Sequence, residues 1–441
     1  MTSTSDHRPT SGVLAFRDFR ITFVVRFLSA IARLAQTVAV GWELYARTND
    51  VASLGILGLC SFAPGVLLLL IGGGIADRFE RRRVAMICYG CFALLSVLLY
   101  IQSLEPSGSA WPIYTITIAI SAIQAFLRPA LGALLRELVP TEQFGRAVAL
   151  LQVAYEVGAV IGPAVGGWIY GLGGHPGAVY LTSAAIYLVE ALLLMSMEVR
   201  PVRANKARMS MTELLAGVVY VWRTKVILGL ISLDLFAGFF GGVVALMPVF
   251  ARDILDVGPI GLGGLRSAPS VGAVLVAVTL TLRPIGRHSG RVMLWCVAIF
   301  AAATVVFGMS RNLAVSLGAL VVIGASDTIS VIIRQTRLPI ATPDAVRGRV
   351  MAVNELAVNA SNDMGELESG LTASWFGAIP AVVFGGLAAL ATVIVHAVVF
   401  PELSKEEDTA QFLEDPLASP NPDVRPAPQR SHEQGLGEGT T

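Results

Sequence analysis

The chain has 441 residues, of which 54% are hydrophobic and 14% charged, with a formal net charge of +1. A water-facing surface calls for roughly 25% charged residues, so this composition, with a mean hydropathy of +0.69, excludes an ordinary soluble domain. The near-zero charge gives no case for nucleic acid, and the length suffices for many spans of about 20 apolar residues each.

The first 19 residues are polar, and the first apolar run carries Arg26 and Arg33. A secretory signal has a clean apolar core and a small-residue cleavage site, so a cytoplasmic tail (1–19) leading into a retained helix is expected. Apolar stretches then follow at 20–46, 51–76, 84–104, 112–134, 145–171 and 177–198. After a polar break at 199–225, in which Met211–Trp222 reads as a short interfacial helix, a second set lies at 226–251, 260–283, 291–310, 313–338, 350–375 and 379–400. The expected organisation is therefore a six-helix half (20–198), a central loop (199–225), a second half (226–400) and a tail (401–441). That tail is rich in Pro, Gly and acids, lacks apolar periodicity and is expected to be disordered. The four cysteines (Cys60, Cys88, Cys91, Cys296) lie in apolar runs; the Cys88-x-x-Cys91 spacing allows redox or metal chemistry, but no His or second Cys pair completes a site. No metal and no cofactor are expected.

Basic residues mark one set of loops: Arg78, Arg81, Arg82 and Arg83; Arg136; Arg200, Arg203, Lys206, Arg208, Arg223 and Lys225; Arg283, Arg287 and Arg291; Arg347 and Arg349. The opposite loops hold Arg47, Arg252 and Arg311. The positive-inside rule makes the first side cytoplasmic, with both termini on it, as an even helix count also requires.

The two halves repeat in parallel at an offset of about 203 to 206 residues. Pro140-x4-Gly145-Arg146 recurs as Pro343-x4-Gly348-Arg349, Gly162 and Gly167 fall on Gly365 and Gly370, and Ala63-Pro64 falls on Ala268-Pro269. Arg78 and Arg82 likewise correspond to Arg283 and Arg287. After the second span, Gly73-Gly74-Ile75-Ala76-Asp77-Arg78-Phe79-Glu80-Arg81-Arg82 resembles the loop motif G-x-x-x-D-R-x-G-R-R of major facilitator transporters, with Glu80 at the usual second glycine. The resemblance implies that Asp77, Arg78, Arg81 and Arg82 form a charged latch at the cytoplasmic gate; a topology signal alone is the plainer reading. In the fifth span, Gly158-x3-Gly162-Pro163-x2-Gly166-Gly167 resembles that superfamily's antiporter motif. Such glycines let helix backbones approach closely and the proline bends the helix, which simple packing would also explain; the motif's occurrence among exporters tilts the expectation towards efflux.

The second half resembles a narrower branch, the enterobactin-exporter-like or transmembrane secretion effector group. The resemblance rests on Asp327-Thr-Ile-Ser-Val-Ile-Ile-Arg334-Gln335, Thr342-Pro343-Asp344, Arg347-Gly348-Arg349-Val350 and Ser361-Asn362-Asp363-Met-Gly365-Glu366-Leu-Glu368-Ser369-Gly370. Leu233-Asp234-Leu235-Phe236, Met247-Pro248 and Val40-Gly41-Trp42-Glu43-Leu44-Tyr45 fit the same branch. It implies an all-α polytopic membrane protein of the major facilitator fold, with twelve transmembrane helices in two pseudo-symmetric six-helix halves and substrate bound between them.

Charges inside the spans cost at least about 2.5–3.5 kcal/mol on insertion scales, so they should face a partner or a wet cavity. At 100° per residue, Glu355, Asn359, Asn362, Asp363, Glu366 and Ser369 form one polar stripe on the eleventh span, with Glu368 pointing elsewhere towards a neighbouring helix. Thr22, Arg26, Ser29, Arg33 and Thr37 share a face of the first span; Thr117, Ser121, Gln124 and Arg128 of the fourth; Asp327, Ser330 and Arg334 of the tenth. Glu156 lies in the fifth span and Asp234 in the seventh. Two readings stand: buried interhelical pairs that fix helix rotation, or a substrate and proton pathway made of Arg26, Arg33, Arg128, Glu156, Asp234, Asp327, Arg334, Asn359, Asn362, Asp363 and Glu366. Arg334 could also snorkel to the cytoplasmic interface, and Glu43 and Arg266 could reach the outer one.

No G-x-x-x-x-G-K-[ST] loop is present, which argues against ATP hydrolysis by this chain. The expectation is a secondary transporter rather than an enzyme: a monomeric, proton-coupled exporter in the bacterial-type inner membrane, acting on a small amphipathic or anionic molecule, siderophore-like or drug-like. Arg33 and Arg128 are candidates for binding an anionic substrate or holding acids ionised. Import, lysophospholipid flipping and a non-transporting receptor or scaffold are the alternatives.

Overall fold

Every regular element among the described residues is helical. A hydrocarbon core holds no water to satisfy backbone N–H and C=O groups, and a helix satisfies them segment by segment. The computed structural model describes residues 12–78, 80–105, 108–198, 211–282 and 289–401, without the side chains of 66, 69–78, 211–214, 281–282 and 289. Most of the N-terminal tail, the loop 199–210, the segment with Arg283 and Arg287, and the C-terminal tail beyond 401 lie outside the described residues.

The first half contains α1 (Arg17–Thr48), α2 (Ala52–Arg78), α3 (Arg81–Ser103), α4 (Trp111–Leu138), α5 (Phe144–Gly173) and α6 (Gly177–Met195). The short α7 (Met211–Arg223) leads into a seventh span made of α8 (Lys225–Phe240), α9 (Val243–Val249) and a π-helical turn at Phe250–Ile254. The remaining spans are α10 (Gly258–Leu282), α11 (Ser289–Met309), α12 (Leu313–Ile340), α13 (Asp344–Phe376) and α14 (Ala378–Val399). Among the described residues, ten spans are both long and apolar enough to cross a bilayer, with mean hydropathies of 1.4 to 2.4 over their most apolar windows. α2 has 27 residues, of which the described part, 52–65, is apolar; α13, with 33 residues, falls short in hydropathy because of its polar stripe.

Local signals end the helices where the chain must turn. Asn49 closes α1 in the left-handed region (φ 51°), its N–H donating to the Tyr45 carbonyl at 3.0 Å. Gly174 does the same for α5 (φ 62°). Asn312 caps α12, its side-chain oxygen accepting from the Ala314 and Val315 amides.

The sequence repeat becomes a repeat of helix neighbours. In the first half α1 packs on α5, α2 on α4, and α3 on both α4 and α6; in the second α8 packs on α13, α10 on α12, and α11 on both α12 and α14. The halves meet through two equivalent pairs, α5 with α10 and α13 with α2. That exchange is what a two-fold axis along the membrane normal produces.

One span departs from expectation. The seventh, read as continuous over 226–251, breaks at Gly241-Gly242, where a Cβ on Gly242 would lie 2.2 Å from the Gly365 carbonyl oxygen. Only a glycine permits that approach to α13. Pro248 then has no N–H to give the Val244 carbonyl, one turn back. The Arg266 guanidinium of α10 donates to that carbonyl instead, at 3.4 Å.

Candidate functional site

The approaches between the halves gather at the end of the bundle where α2 and α10 begin and α5 and α13 end, opposite the arginine-rich loops. There Gly55 of α2 faces the Gly370 backbone of α13, and Gly167 of α5 faces Gly263 of α10, each so closely that a Cβ on Gly370 or Gly167 would fall 2.5 Å from backbone across the seam. The Ser267 hydroxyl donates to the Val160 carbonyl at 2.7 Å. At the rim, the Tyr45 hydroxyl donates to the Asp253 carboxylate, while Arg252 donates to the Tyr45 carbonyl at 3.3 Å and lies 5.4 Å over its ring. Beneath them Glu43 is buried, bonded to Arg47 and to the Tyr180 hydroxyl, rather than reaching the interface.

At the arginine-rich end, the ion pairs among the described residues stay within one half: Arg17 with Glu198 at 3.0 Å, Arg81 with Glu137, Arg82 and Arg83 with Glu80, and Arg347 with Asp344. Along α13 the polar stripe runs from exposed Glu355, Asn359 and Asn362, through half-buried Asp363 and Glu366, to buried Ser369. Among the described residues the space between the halves therefore has the form of a funnel, shut at the glycine-lined end and increasingly exposed towards the arginine-rich one.

The two funnel walls carry opposite excess charge. On the first half, Arg26 and Arg33 of α1 both lie over the Tyr155 ring of α5, at 4.7 and 5.7 Å, and Arg33 donates to its hydroxyl at 3.0 Å. Arg128 of α4 is exposed nearby. On the second half, Asp327 lies midway along α12, and Asp363 and Glu366 near the middle of α13. Across the gap Arg128 acts electrostatically on Asp363, and Glu156 on Asp327; Gln152 donates to Glu156 at 2.7 Å. Arg266 is within electrostatic reach of Glu366, and its own Nε is buried without a hydrogen-bond partner.

This architecture can be set against known proteins. The description of the transmembrane secretion effector family matches residues 10–426. The chain belongs to that family. Its fold is the major facilitator fold, and it is a membrane transporter of that kind, not an enzyme. The enterobactin exporter EntS of Shigella flexneri is 25% identical over 379 residues, 86% of this chain and 87% of that one. EntS of Escherichia coli O139:H28 gives the same identity and coverage. Among solved structures, the nucleoside transporter NupG superposes with a TM-score of 0.70 at 13% identity, over 87% of this chain and 99% of that one. A bacterial Spinster homologue in an inward-facing, occupied conformation does so with a TM-score of 0.66 at 15% identity, over 88% and 96%.

Several sequence candidates of this secretion effector sit elsewhere than in the funnel wall. Asp234 and Arg334 pair with each other between α8 and α12, with side-chain exposures of 13% and 2%; Arg334 therefore does not snorkel. Glu368 bonds Thr372 at 2.9 Å and Ser369, both on its own helix, instead of a neighbouring one. Of the loop motif, Arg81 and Arg82 are described: Arg81 reaches Glu137 at the end of α4, and Arg82 reaches Glu80 and the Met197 carbonyl. The Asp77 and Arg78 side chains lie outside the described residues. The glycine motif divides its work. Gly158, Gly162 and Gly166 abut Ala30, Ile31 and Ala35 of α1, whereas Gly167 abuts Pro259 and Gly263 of the other half, and Gly263 in turn abuts the Pro163 carbonyl.

Tyr155, Arg266, Glu137 and the Tyr45–Asp253–Arg252 cluster are absent from the sequence candidates. Tyr155 had a detectable signal: it precedes Glu156 on a helix whose glycines point to α1, the helix that carries Arg26 and Arg33.

Proposed function

We propose that this transporter is a proton-coupled exporter that moves a small amphipathic or anionic molecule, siderophore-like or drug-like, by alternating access. The observation that carries the reading is the funnel itself: three guanidiniums face three carboxylates across a gap that is shut at one end. Cations on one wall suit an anionic substrate. Carboxylates on the other that lack a tight ion pair are free to trade a proton against it, whereas Asp234, already paired with Arg334, is not. Protonating Asp363 weakens its hold on Arg128 opposite and so alters the attraction between the halves. The EntS relatives support export and a siderophore-like substrate. The arginine-rich loops support an inner-membrane orientation with that end and both termini in the cytoplasm, so that the funnel described here opens inward. Arg81, Arg82 and their partners would close the cytoplasmic side in the opposite state, and the protein would work as a monomer.

The test uses everted membrane vesicles with an imposed pH gradient reported by acridine orange. Catecholate and hydroxamate siderophores and lipophilic dyes are added in turn. A transported compound releases protons and restores fluorescence, and Asp327→Asn or Glu366→Gln abolishes that response. Compound flux that persists without a gradient, with both variants unchanged, refutes proton coupling.

A further inference from the structure

Glu190 has no place in the funnel and no explanation in the apolar run of α6. Its side chain is completely buried (0% exposed), and neither carboxyl oxygen has a hydrogen-bond partner. Among the described residues it makes no ion pair. α6 packs against α3, α1 and, to a smaller extent, α5, and the titratable groups these helices present are few. From α3 comes Tyr89, 1% exposed and stacked on Tyr187 of α6 at 6.5 Å between ring centroids, while Cys88 turns its sulfur towards the Ile123 carbonyl of α4. From α1 come Arg26 and Arg33, whose charges act on Tyr89 and Tyr187 respectively. From α5 comes Tyr155, held between those two arginines. The carboxyl thus lies within electrostatic reach of two phenols, and those phenols in turn within reach of the α1 arginines.

A carboxylate with neither counter-charge nor donors is not sustained in such a place, whereas a neutral carboxyl is. The same cluster offers a route outward. The Tyr89 hydroxyl donates to the Ser29 hydroxyl at 3.4 Å, and Ser29 shares its face of α1 with Arg26 and Arg33, the funnel wall. We propose that Glu190 is a proton-binding site inside the N-terminal half, separate from the funnel acids, which exchanges its proton with the funnel when the Tyr89 hydroxyl turns from Ser29 to the carboxyl. The site does not depend on the funnel acids being the coupling groups.

Infrared spectroscopy of the full chain in lipid vesicles tests this without a known substrate. The wild type should show the C=O band of a neutral carboxylic acid that Glu190→Gln removes. The band should shift on transfer to D2O, and Tyr89→Phe should slow that shift. A Glu190→Gln spectrum that superimposes on the wild type overturns the proposal, as does a band whose exchange is indifferent to Tyr89→Phe. Gln matches a neutral carboxyl in volume, so failure of Glu190→Gln to fold while Glu190→Asp folds would show that the charge is needed, and would overturn it too. If wild-type vesicles show no proton release with any compound, the functional reading falls while the spectral result still decides the site.

Discussion

The ion pair between Asp234 and Arg334 offers the sharpest test of how charge is used inside this bundle. Arg334 is 2% exposed and Asp234 13%, and besides that pairing the Arg334 Nε is buried without a hydrogen-bond partner. Neutralising one partner leaves the other charge buried and unpaired, which costs about 3–5 kcal/mol. Asp234→Asn and Arg334→Met should each destabilise the protein by that amount. The double change Asp234→Leu/Arg334→Met is different: it removes both desolvation penalties together with the unsatisfied Nε. Replacing a buried pair by apolar groups of similar volume is often neutral or stabilising by about 1–4 kcal/mol, so the double variant should match or exceed the wild type. A thermal-melting double-mutant cycle on detergent-purified protein reads these differences, with coupling taken as the departure from additivity. Single variants that melt like the wild type, or a double variant no better than the singles, would refute the reasoning. Either result would mean that the two groups are solvated through the funnel and do not form a dry structural pair.

Three further outcomes follow from the seam. Gly167→Ala sets a methyl 2.5 Å from the Pro259 carbonyl oxygen and 2.9 Å from the Gly263 Cα; the overpacking cost of about 1–3 kcal/mol falls on the closed outer end alone, so spin labels on the first turn of α10 and the last turn of α5 should report a longer distance. Tyr45→Phe removes a hydrogen bond to a carboxylate, worth about 1.5–3 kcal/mol, and the same labels should show the outer-open population rise by roughly an order of magnitude or more. Arg266→Met leaves the Val244 carbonyl without its donor and Glu366 without its nearest cation; faster amide exchange over 243–249 in deuterium-exchange mass spectrometry is the expected result, and unchanged protection there would contradict the role given to Arg266.

Much of this architecture is legible in the chain because a bilayer imposes few solutions. Apolar length gives the spans, and the parallel repeat anticipates the matching helix neighbours, since Gly162 and Gly365 occupy equivalent places on α5 and α13. The polar stripe on α13 is also visible, because a helix that spends apolar surface on Glu355, Asn359, Asn362, Asp363 and Glu366 must face water with it. Partner choice is another matter. Helical periodicity puts Asp327 and Arg334 on one face of α12, yet they end in different places: Asp327 faces the funnel, and Arg334 turns into the interior towards Asp234. A rotation of the stripe along the helix decides that, and period alone does not encode it. The broken seventh span is a misreading of available signals, because hydropathy averages across Gly241-Gly242 and Pro248. Glu190 escapes for the opposite reason. One acid in an apolar run carries no pattern, and its significance comes from what α1, α3 and α6 leave around it.

The outer seam shows how such a bundle can be both well packed and ready to open. In lipid there is no hydrophobic drive to hold two helices together, because the tails are as apolar as leucine. What holds α5 to α10 and α2 to α13 is close backbone approach at Gly167, Gly263, Gly55 and Gly370, which freezes no side chains and so costs little entropy to make or to break. Among the described residues, directional bonds there are confined to Ser267 with Val160 and to the Tyr45–Asp253–Arg252 cluster. A seam built this way has a small free energy of closure, concentrated in a few polar contacts at the rim. On the proposed alternating-access mechanism, a modest change in charge on the funnel walls is then enough to shift the population between the two states, and the glycines allow the same surfaces to re-form afterwards. Replacing these contacts by interlocking large side chains would make a tighter outer end and a poorer transporter.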